Sequence, residues 1–192
     1  MNIVSDNNLS FQAKIVTPLN GRNNSMAKLK NAFEKISNKV DGELVIERYP
    51  HVYNKIFATV GDSSMYVGEE LHKFLSLENP TKAEIKDAAN KALNTLKTLQ
   101  AEEIYNKKAE QINSTIGNDI RRCEREKAKA LVYHNNTLAE ILQKNINKLS
   151  VTRDEKMKKI QETFVKKLDL YAPKSLDAKY GEYTKYDLKM NQ

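Results

Sequence analysis

The residues most suggestive of chemistry are Gly61-Asp62-Ser63, which follow the apolar segment IFATV at positions 56–60. A serine at the end of a strand can attack an acyl carbon when a positioned base accepts its proton. The histidines that could act as this base are His51, His72 and His134. The chemistry that these residues suggest first is therefore acyl transfer.

The tripeptide at 61–63 resembles the first block of the Gly-Asp-Ser-Leu esterase and lipase family, which implies a serine nucleophile on a doubly wound sheet. Ser64 stands where that family usually has leucine. The family's Gly-x-Asn-Asp is missing, because residues 117–119 are contiguous and lie in a helical pattern. No histidine completes its Asp-x-x-His, so the general base is missing too. We therefore predict a turn and a helix cap at 61–63, with Asp62 or Ser63 satisfying free backbone amides.

Other reactive residue types are equally isolated. Glu69 and His72 form one Glu-x-x-His, half of the motif used by di-iron bundles, and no second copy exists. Cys123 is the only cysteine, which excludes an internal disulfide and a cysteine-based zinc site. The sequence also lacks the glycine-rich phosphate-binding motifs. We predict no catalytic, cofactor or metal site, which favours a protein that is not an enzyme and leaves an enzyme with an unfamiliar site as a third alternative.

Composition and charge describe a helix-rich protein with a basic second half. The 192 residues are 40% apolar and 30% charged, and the net charge is +7. Residues 1–80 hold nine basic and nine acidic groups, whereas residues 81–170 hold nineteen and thirteen. No apolar run approaches the length of a membrane span, and the N-terminus lacks the pattern of a secretory signal. We expect no transmembrane segment and a cytoplasmic protein.

The first eighty residues carry the patterns of a small mixed structure. Strand patterns occur at 9–19, 43–49 and 54–60, and we expect the last two to pair as a hairpin. Apolar residues at helical spacing predict a helix over 25–40, with Asn24 or Ser25 as its N-cap and Asp41-Gly42 at its end. Residues 69–77 predict a further short helix.

The second half predicts long helices. Thr81 with Glu84 forms a capping box, and Thr152 with Glu155 predicts the start of another helix. The apolar stripe in between includes Tyr105, Ala109, Ile112, Ile116, Ile120, Cys123, Leu131, Leu138, Leu142 and Leu149, and it continues through Met157, Ile160, Phe164 and Leu168. Breaks at 114–118 and 134–137 would give an antiparallel hairpin or three helices, whereas no break would give one continuous rod.

The predicted class is α+β: a small three-stranded sheet with one or two helices, followed by a long helical hairpin or three-helix C-terminal half. We expect an α/β lobe at 1–79, a helical region at 80–170 and a tyrosine-rich tail at 171–192. The tail, which could dock on its own helices or on a partner, contains Tyr171, Tyr180, Tyr183 and Tyr186.

The interpretation that follows is a non-enzymatic protein–protein interaction or scaffold protein that binds a protein partner or a second copy. The alternative is a nucleic-acid-associated protein that contacts the phosphate backbone through the basic helical half. The residues that would make this contact are Arg121, Arg122, Arg125, Lys127 and Lys129. Glu–Lys pairs at a spacing of four residues instead favour solvated helix faces.

Overall fold

The structure is a computed structural model that describes residues 13–16, 24–38, 40, 42–49, 52–61, 63–66 and 69–174. Its strands are β1 (Lys14–Val16), β2 (Glu43–Tyr49), β3 (Val52–Val60) and β4 (Ser63–Tyr66). Its helices are α1 (Asn24–Ile36), α2 (Glu69–Leu75), α3 (Lys82–Val132) and α4 (Asn136–Tyr171), followed by a 3-10 turn at Ala172–Lys174. The predicted α+β class is confirmed.

The chain divides into two compact units. We call Met1–Glu103 with Lys167–Gln192 the sheet unit, and Ile104–Lys166 the hairpin unit. The first part of α3 and the last residues of α4 thus belong to the sheet unit. The three-part division expected from the sequence stays a prediction.

The sheet is mixed and follows the order of the chain, β1-β2-β3-β4. β1 runs parallel to β2, and β2, β3 and β4 pair antiparallel. The predicted hairpin of the second and third strands is confirmed. β4 is a fourth, short strand beside the three expected ones. The predicted alternation is seen over β1 and the residue before it, because Ala13 and Ile15 are buried while Lys14 and Val16 are exposed. Residues 9–12 and 17–19 of that predicted strand lie outside the described residues.

Helix α1 buries Met26, Leu29 and Phe33 on one face, as their spacing predicts. The expected capping differs from the structure, because Asn24 and Ser25 are already helical. The Ser25 hydroxyl donates to the carbonyl of Leu77 instead. Because the Ser25 side chain is buried, its hydroxyl requires a hydrogen-bond partner, and the Leu77 carbonyl provides one.

The core of the sheet unit combines the sheet with all three helices that begin in it. Its buried members include Leu44 and Ala58 of the sheet, Leu71 of α2, and Ala92 and Leu96 of α3. Ala88 and Ala89 of α3 are buried in the same core. The predicted capping box starts α3: the Thr81 amide and hydroxyl each donate to Glu84 Oε2 at 2.7 Å, and the Glu84 amide donates to Thr81 Oγ1 at 3.3 Å.

Helices α3 and α4 meet at a tight turn, residues 133–135. His134 has a φ of 55°, its amide donates to the Leu131 carbonyl, and the Asn135 amide donates to the Ala130 carbonyl. These are the two hydrogen bonds of a Schellman motif. The side chain of Asn135 then caps α4, because its Oδ1 accepts from the Leu138 amide at 3.1 Å.

Of the two predicted breaks, only the second exists, which excludes both the three-helix arrangement and the continuous rod. Residues 114–118 remain helical within α3. The helix start predicted at Thr152 is also wrong. α4 continues through this residue, and the Thr152 hydroxyl donates to the Lys148 carbonyl at 2.9 Å, a bond that lets threonine stay inside a helix. No helix in the described part of the chain is long and apolar enough to span a bilayer.

Candidate interaction surface

The Gly-Asp-Ser segment is a strand connection. Val60, the last residue of β3, pairs with Ser63, the first residue of β4, so the chain reverses its direction between these two residues. Gly61 has a φ of 55°, and a Cβ there would lie 2.8 Å from Glu103 Oε1. Gly61 lies in the predicted turn, but the helix cap predicted at Ser63 is wrong, because Ser63 lies in β4 and α2 begins only at Glu69. Asp62, the other predicted cap, lies outside the described residues. Glycine at position 61 therefore allows the backbone conformation of the turn and the close approach of Glu103.

The remaining candidates for chemistry do not assemble into a centre. Glu69 and His72 both lie on α2, but the placement of their side chains is outside what the structure describes. Among the described residues, no three His, Cys, Asp or Glu side chains are grouped closely enough to hold a metal ion. Cys123 is a free, half-buried thiol on α3.

The interhelical seam, meaning the side chains of the hairpin unit that face the opposite helix, is marked by reduced exposure at every third or fourth residue. On α3 it comprises Tyr105, Ala109, Ile112, Ile116, Ile120, Cys123, Lys127 and Ala130. On α4 it comprises Ala139, Leu142, Gln143, Ile146, Leu149, Arg153, Met157, Ile160 and Phe164. Steps of three and four residues are typical of two helices that pack along their length.

Two contacts across the seam set its register. The rings of Tyr105 and Phe164 stack with 4.9 Å between their centroids, and Lys127 Nζ donates to Gln143 Oε1 at 2.5 Å. In both pairs the two residues lie at similar sequence distances from the turn, as an antiparallel pairing requires. The same register places Cys123 level with Ile146.

The seam of the hairpin unit is only partly covered. Its buried side chains are Ile116, Ile120, Ala130 and Ala139; the other seam residues, among them Ile112, Ile146, Met157 and Phe164, are half-buried. A pair of helices can enclose the centre line of its seam, but it leaves the edges open to solvent. The hairpin unit therefore has an apolar surface that its own two helices do not cover.

Four of the five predicted basic contacts share one face of α3. Arg121, Arg125 and Lys129 follow at spacings of four, and with Arg122 they lie within an arc of roughly 100°. All four are exposed. Lys127 points to the seam instead, where it contacts Gln143. The structure thus separates Lys127 from the other four; whether any of them contacts nucleic acid stays a prediction.

This basic face is not purely cationic. Arg121 donates to Asn118 Oδ1 at 2.6 Å, and Lys129 pairs with Glu126 Oε1 at 2.8 Å. The hydrogen bond from Lys129, with the charges of Lys129, Arg122 and Arg125, lowers the pKa of Glu126 below its ordinary value. An open depression of about 660 Å³ runs along the face and is lined by Asn118, Asp119, Arg121, Arg122, Glu124, Arg125 and Ala128.

No protein-family model, curated protein or solved structure matches the chain.

A second apolar surface surrounds the turn between α3 and α4. We call it the hairpin tip; it comprises the exposed side chains of Leu131, Val132, Tyr133, Leu138 and Ile141. Val132 and Tyr133 are 73% and 81% exposed. The sequence predicted Leu131 and Leu138 as part of the apolar stripe, which is wrong, because Ala130 and Ala139 take the seam positions next to the turn. Spacing alone did not reveal that these leucines lie outside the seam.

The start of the predicted tail docks on its own chain. Lys97 Nζ lies 5.3 Å from the centroid of the Tyr171 ring, and Asn94 Nδ2 donates to the Lys174 carbonyl at 3.3 Å. Both contacts lie within the sheet unit. Tyr180, Tyr183 and Tyr186 lie outside the described residues, so a partner-docking role for them stays a prediction.

Proposed function

We propose that the chain is a non-enzymatic interaction or scaffold protein, and that a helix of a protein partner packs along the half-open seam of the hairpin unit. The observation that carries this proposal is the mismatch between the length of the apolar seam and its coverage. Four seam side chains are buried, while apolar residues along the rest of it remain half-buried.

A third helix is the element that fits such a surface. The two helices contribute residues 104–132 and 136–166 to the hairpin unit, a length of roughly 45 Å at 1.5 Å per residue. An amphipathic helix laid into the groove between them would cover the half-buried apolar residues, as in helix-in-groove recognition and in helix bundles. Removing this apolar area from water drives the association.

The net charge of the hairpin unit favours a partner of opposite charge over a second copy of this chain. The hairpin unit holds fourteen lysines and arginines against eight aspartates and glutamates, a net charge of +6. Two copies would repel each other on approach, whereas an acidic amphipathic helix would be attracted. The proposal therefore specifies an acidic protein partner, in the cytoplasm, with a homo-oligomer as the less favoured form.

Affinity capture with the tagged full chain tests this proposal. Capture from lysate of the source cell is run with and without nuclease, recovered proteins are identified by mass spectrometry, and each is then mixed with the purified chain. We expect one protein to survive nuclease treatment and to form a stoichiometric complex on reconstitution. A compact monomer that forms no complex with any recovered protein would contradict the proposal.

The exposed cations of α3 support a second candidate, binding of a nucleic-acid backbone. Arg121, Arg122, Arg125 and Lys129 could each contact a phosphate, so affinity for single- or double-stranded oligonucleotides would fall steeply with salt. The double variant Arg121→Gln/Arg125→Gln should weaken binding and reduce the salt dependence, with Lys156→Gln/Lys159→Gln as the matched control. Affinity that stays constant between low and moderate salt excludes this candidate.

A further inference from the structure

The hairpin tip combines exposed apolar side chains with a high local positive charge. Residues 121–148, the turn and about the same length of each helix, contain seven lysines and arginines and three glutamates, a net charge of +4. Residues 127–139, which include the turn itself, contain two lysines and no acidic residue. Val132 and Tyr133 thus have no carboxylate within five residues along the chain, and the exposed Glu140 lies beside Ile141 in the second turn of α4. Burial of the Val132 and Tyr133 side chains alone therefore dehydrates no neighbouring carboxylate.

The positions of the cations along α3 match a layered surface. Along the axis of α3, at 1.5 Å per residue, Lys129 lies roughly 6 Å from Tyr133, Arg125 roughly 12 Å and Arg121 roughly 18 Å. All three lie on the side of Tyr133 that is away from the turn. Peripheral apolar elements enter the boundary between headgroups and acyl chains by about 5–10 Å. With Val132 and Tyr133 at that depth, the exposed cations would lie among and just above the anionic headgroups.

The form of the tip also favours lipid over a protein partner. Val132 and Tyr133 stand at the end of two antiparallel helices and next to the turn, so the surface they present is convex and small. A stable protein interface buries about 800 Å² on each side, and such an end would need a deep, preformed pocket. A bilayer needs none, because its acyl chains adapt to the inserted side chains. Tyrosine in particular is enriched at the interface of membranes, where its ring is apolar and its hydroxyl stays hydrated.

We propose that the hairpin tip binds the surface of an anionic membrane by inserting Val132 and Tyr133 between the headgroups while Arg121, Arg122, Arg125 and Lys129 attract the lipid phosphates. This surface is the end of the hairpin, and it is separate from the seam to which the proposed function assigns a protein partner. Tip insertion and partner binding can therefore succeed or fail independently. Attachment of this kind is peripheral and reversible, and it weakens with salt.

The chain contains no tryptophan, which makes the insertion directly observable. In the Tyr133→Trp variant of the full chain, the indole is the sole tryptophan fluorophore and reports its own surroundings. We expect its emission to shift to the blue with vesicles of phosphatidylcholine and phosphatidylserine, and to be quenched by brominated acyl chains. We expect little change with phosphatidylcholine alone, and loss of the shift as salt rises. Unchanged emission with anionic vesicles at low salt overturns the proposal.

A second arm separates insertion from charge attraction alone. Sedimentation with the same anionic vesicles compares the wild type, Val132→Ser/Tyr133→Ser and the matched control Val151→Ser, which alters a valine of α4 that is 57% exposed and distant from the tip. We expect the tip variant to bind at least about tenfold more weakly than the wild type, and the control to bind as tightly as the wild type. Equal binding of all three overturns the proposal.

Other occupants of the tip give distinct results. A blue shift that grows with protein concentration in the absence of vesicles, and to which anionic vesicles add nothing, means that a second copy covers the tip. A shift produced by the purified partner from affinity capture, with none from anionic vesicles, means that a protein covers it. Either result overturns membrane binding. Circular dichroism of each variant confirms that its helices are retained.

Discussion

The ring of Tyr105 stacks on the ring of Phe164, with an angle of 21° between the ring planes, at the end of the hairpin unit opposite the turn. Lys127 and Gln143 make the corresponding contact near the turn. Two contacts so far apart along one helix pair allow only one register. This register agrees with the side chains of reduced exposure along both helices.

The stacked pair should couple energetically. Replacing Tyr105 and Phe164 by alanine, singly and together, should give a coupling free energy of about 0.5–1.5 kcal/mol, because aromatic pairs contribute this much beyond the area that they bury. Urea unfolding followed by circular dichroism measures it. Additive effects of the two substitutions would show that the rings do not interact in solution.

Gly117→Ala should stabilise the chain. Gly117 lies inside α3, and a Cβ there would meet only the Arg121 guanidinium, at 4.0 Å. Alanine should therefore raise the free energy of unfolding by about 0.5–1 kcal/mol, the usual cost of glycine inside a helix. The same urea titration detects the gain. A loss of stability would indicate that α3 bends or breaks at residues 114–118, as one sequence-based alternative expected.

Gly42→Ala should have the opposite effect and serves as the matched comparison. Gly42 has a φ of 129°, and a Cβ there would lie 2.7 Å from Val60 Cγ2 and 2.8 Å from the Thr59 carbonyl oxygen. Both the backbone conformation and the neighbouring strand exclude a side chain, so the free energy of unfolding should fall by more than about 1 kcal/mol. Unchanged stability would contradict the described packing of β2 against β3.

The capping box should be visible in a titration. Hydrogen bonds from the backbone amide and then the hydroxyl of Thr81 lower the pKa of Glu84 below its ordinary value. Because the folded pKa is the lower one, the contribution of the ionised carboxylate to stability is complete above the ordinary pKa. It is lost as the pH falls through the folded pKa. Thr81→Ala removes the hydroxyl and keeps the backbone amide, so the pKa of Glu84, followed by NMR, should rise part of the way toward the ordinary value. An unchanged pKa would show that the Thr81 hydroxyl does not bond to Glu84 in solution.

Sequence patterns predicted the features that depend on short-range spacing. Residues close together in the sequence, within one or two helical turns or one pair of strands, predict the Thr81–Glu84 box, the β2–β3 hairpin and the α+β class. Thr152 shows where such patterns fail: its hydroxyl can cap a helix or bond within one, and only the continuation of α4 decides between these. Likewise, Gly117 and the pair Asn135 and Asn136 are each consistent with a break in the helix, but only the second position is one.

The interaction surfaces were harder to predict than the elements that carry them. Arg121, Arg122, Arg125, Lys127 and Lys129 form one basic run in the sequence, yet helix rotation turns Lys127 toward α4. Leu131 and Leu138 continue the apolar spacing, yet they are exposed because the tight turn brings Ala130 and Ala139 into the seam. Which side of a stripe is covered depends on the register of the partner helix, and this is a long-range property.

The proposed function depends on the half-open seam. The thiol of Cys123, which is the only cysteine and lies in the seam, allows the most direct test. A photo-activated cross-linker attached to Cys123 in the full chain, mixed with the captured partner, reports which protein lies against the seam. Its control is Cys123→Ser/Arg125→Cys, which moves the cross-linker to the outward face of α3. We predict that Cys123 cross-links to one helical segment of the partner and that the control does not. Equal cross-linking from both positions, or none from Cys123, would contradict the proposal that a partner helix packs along the seam.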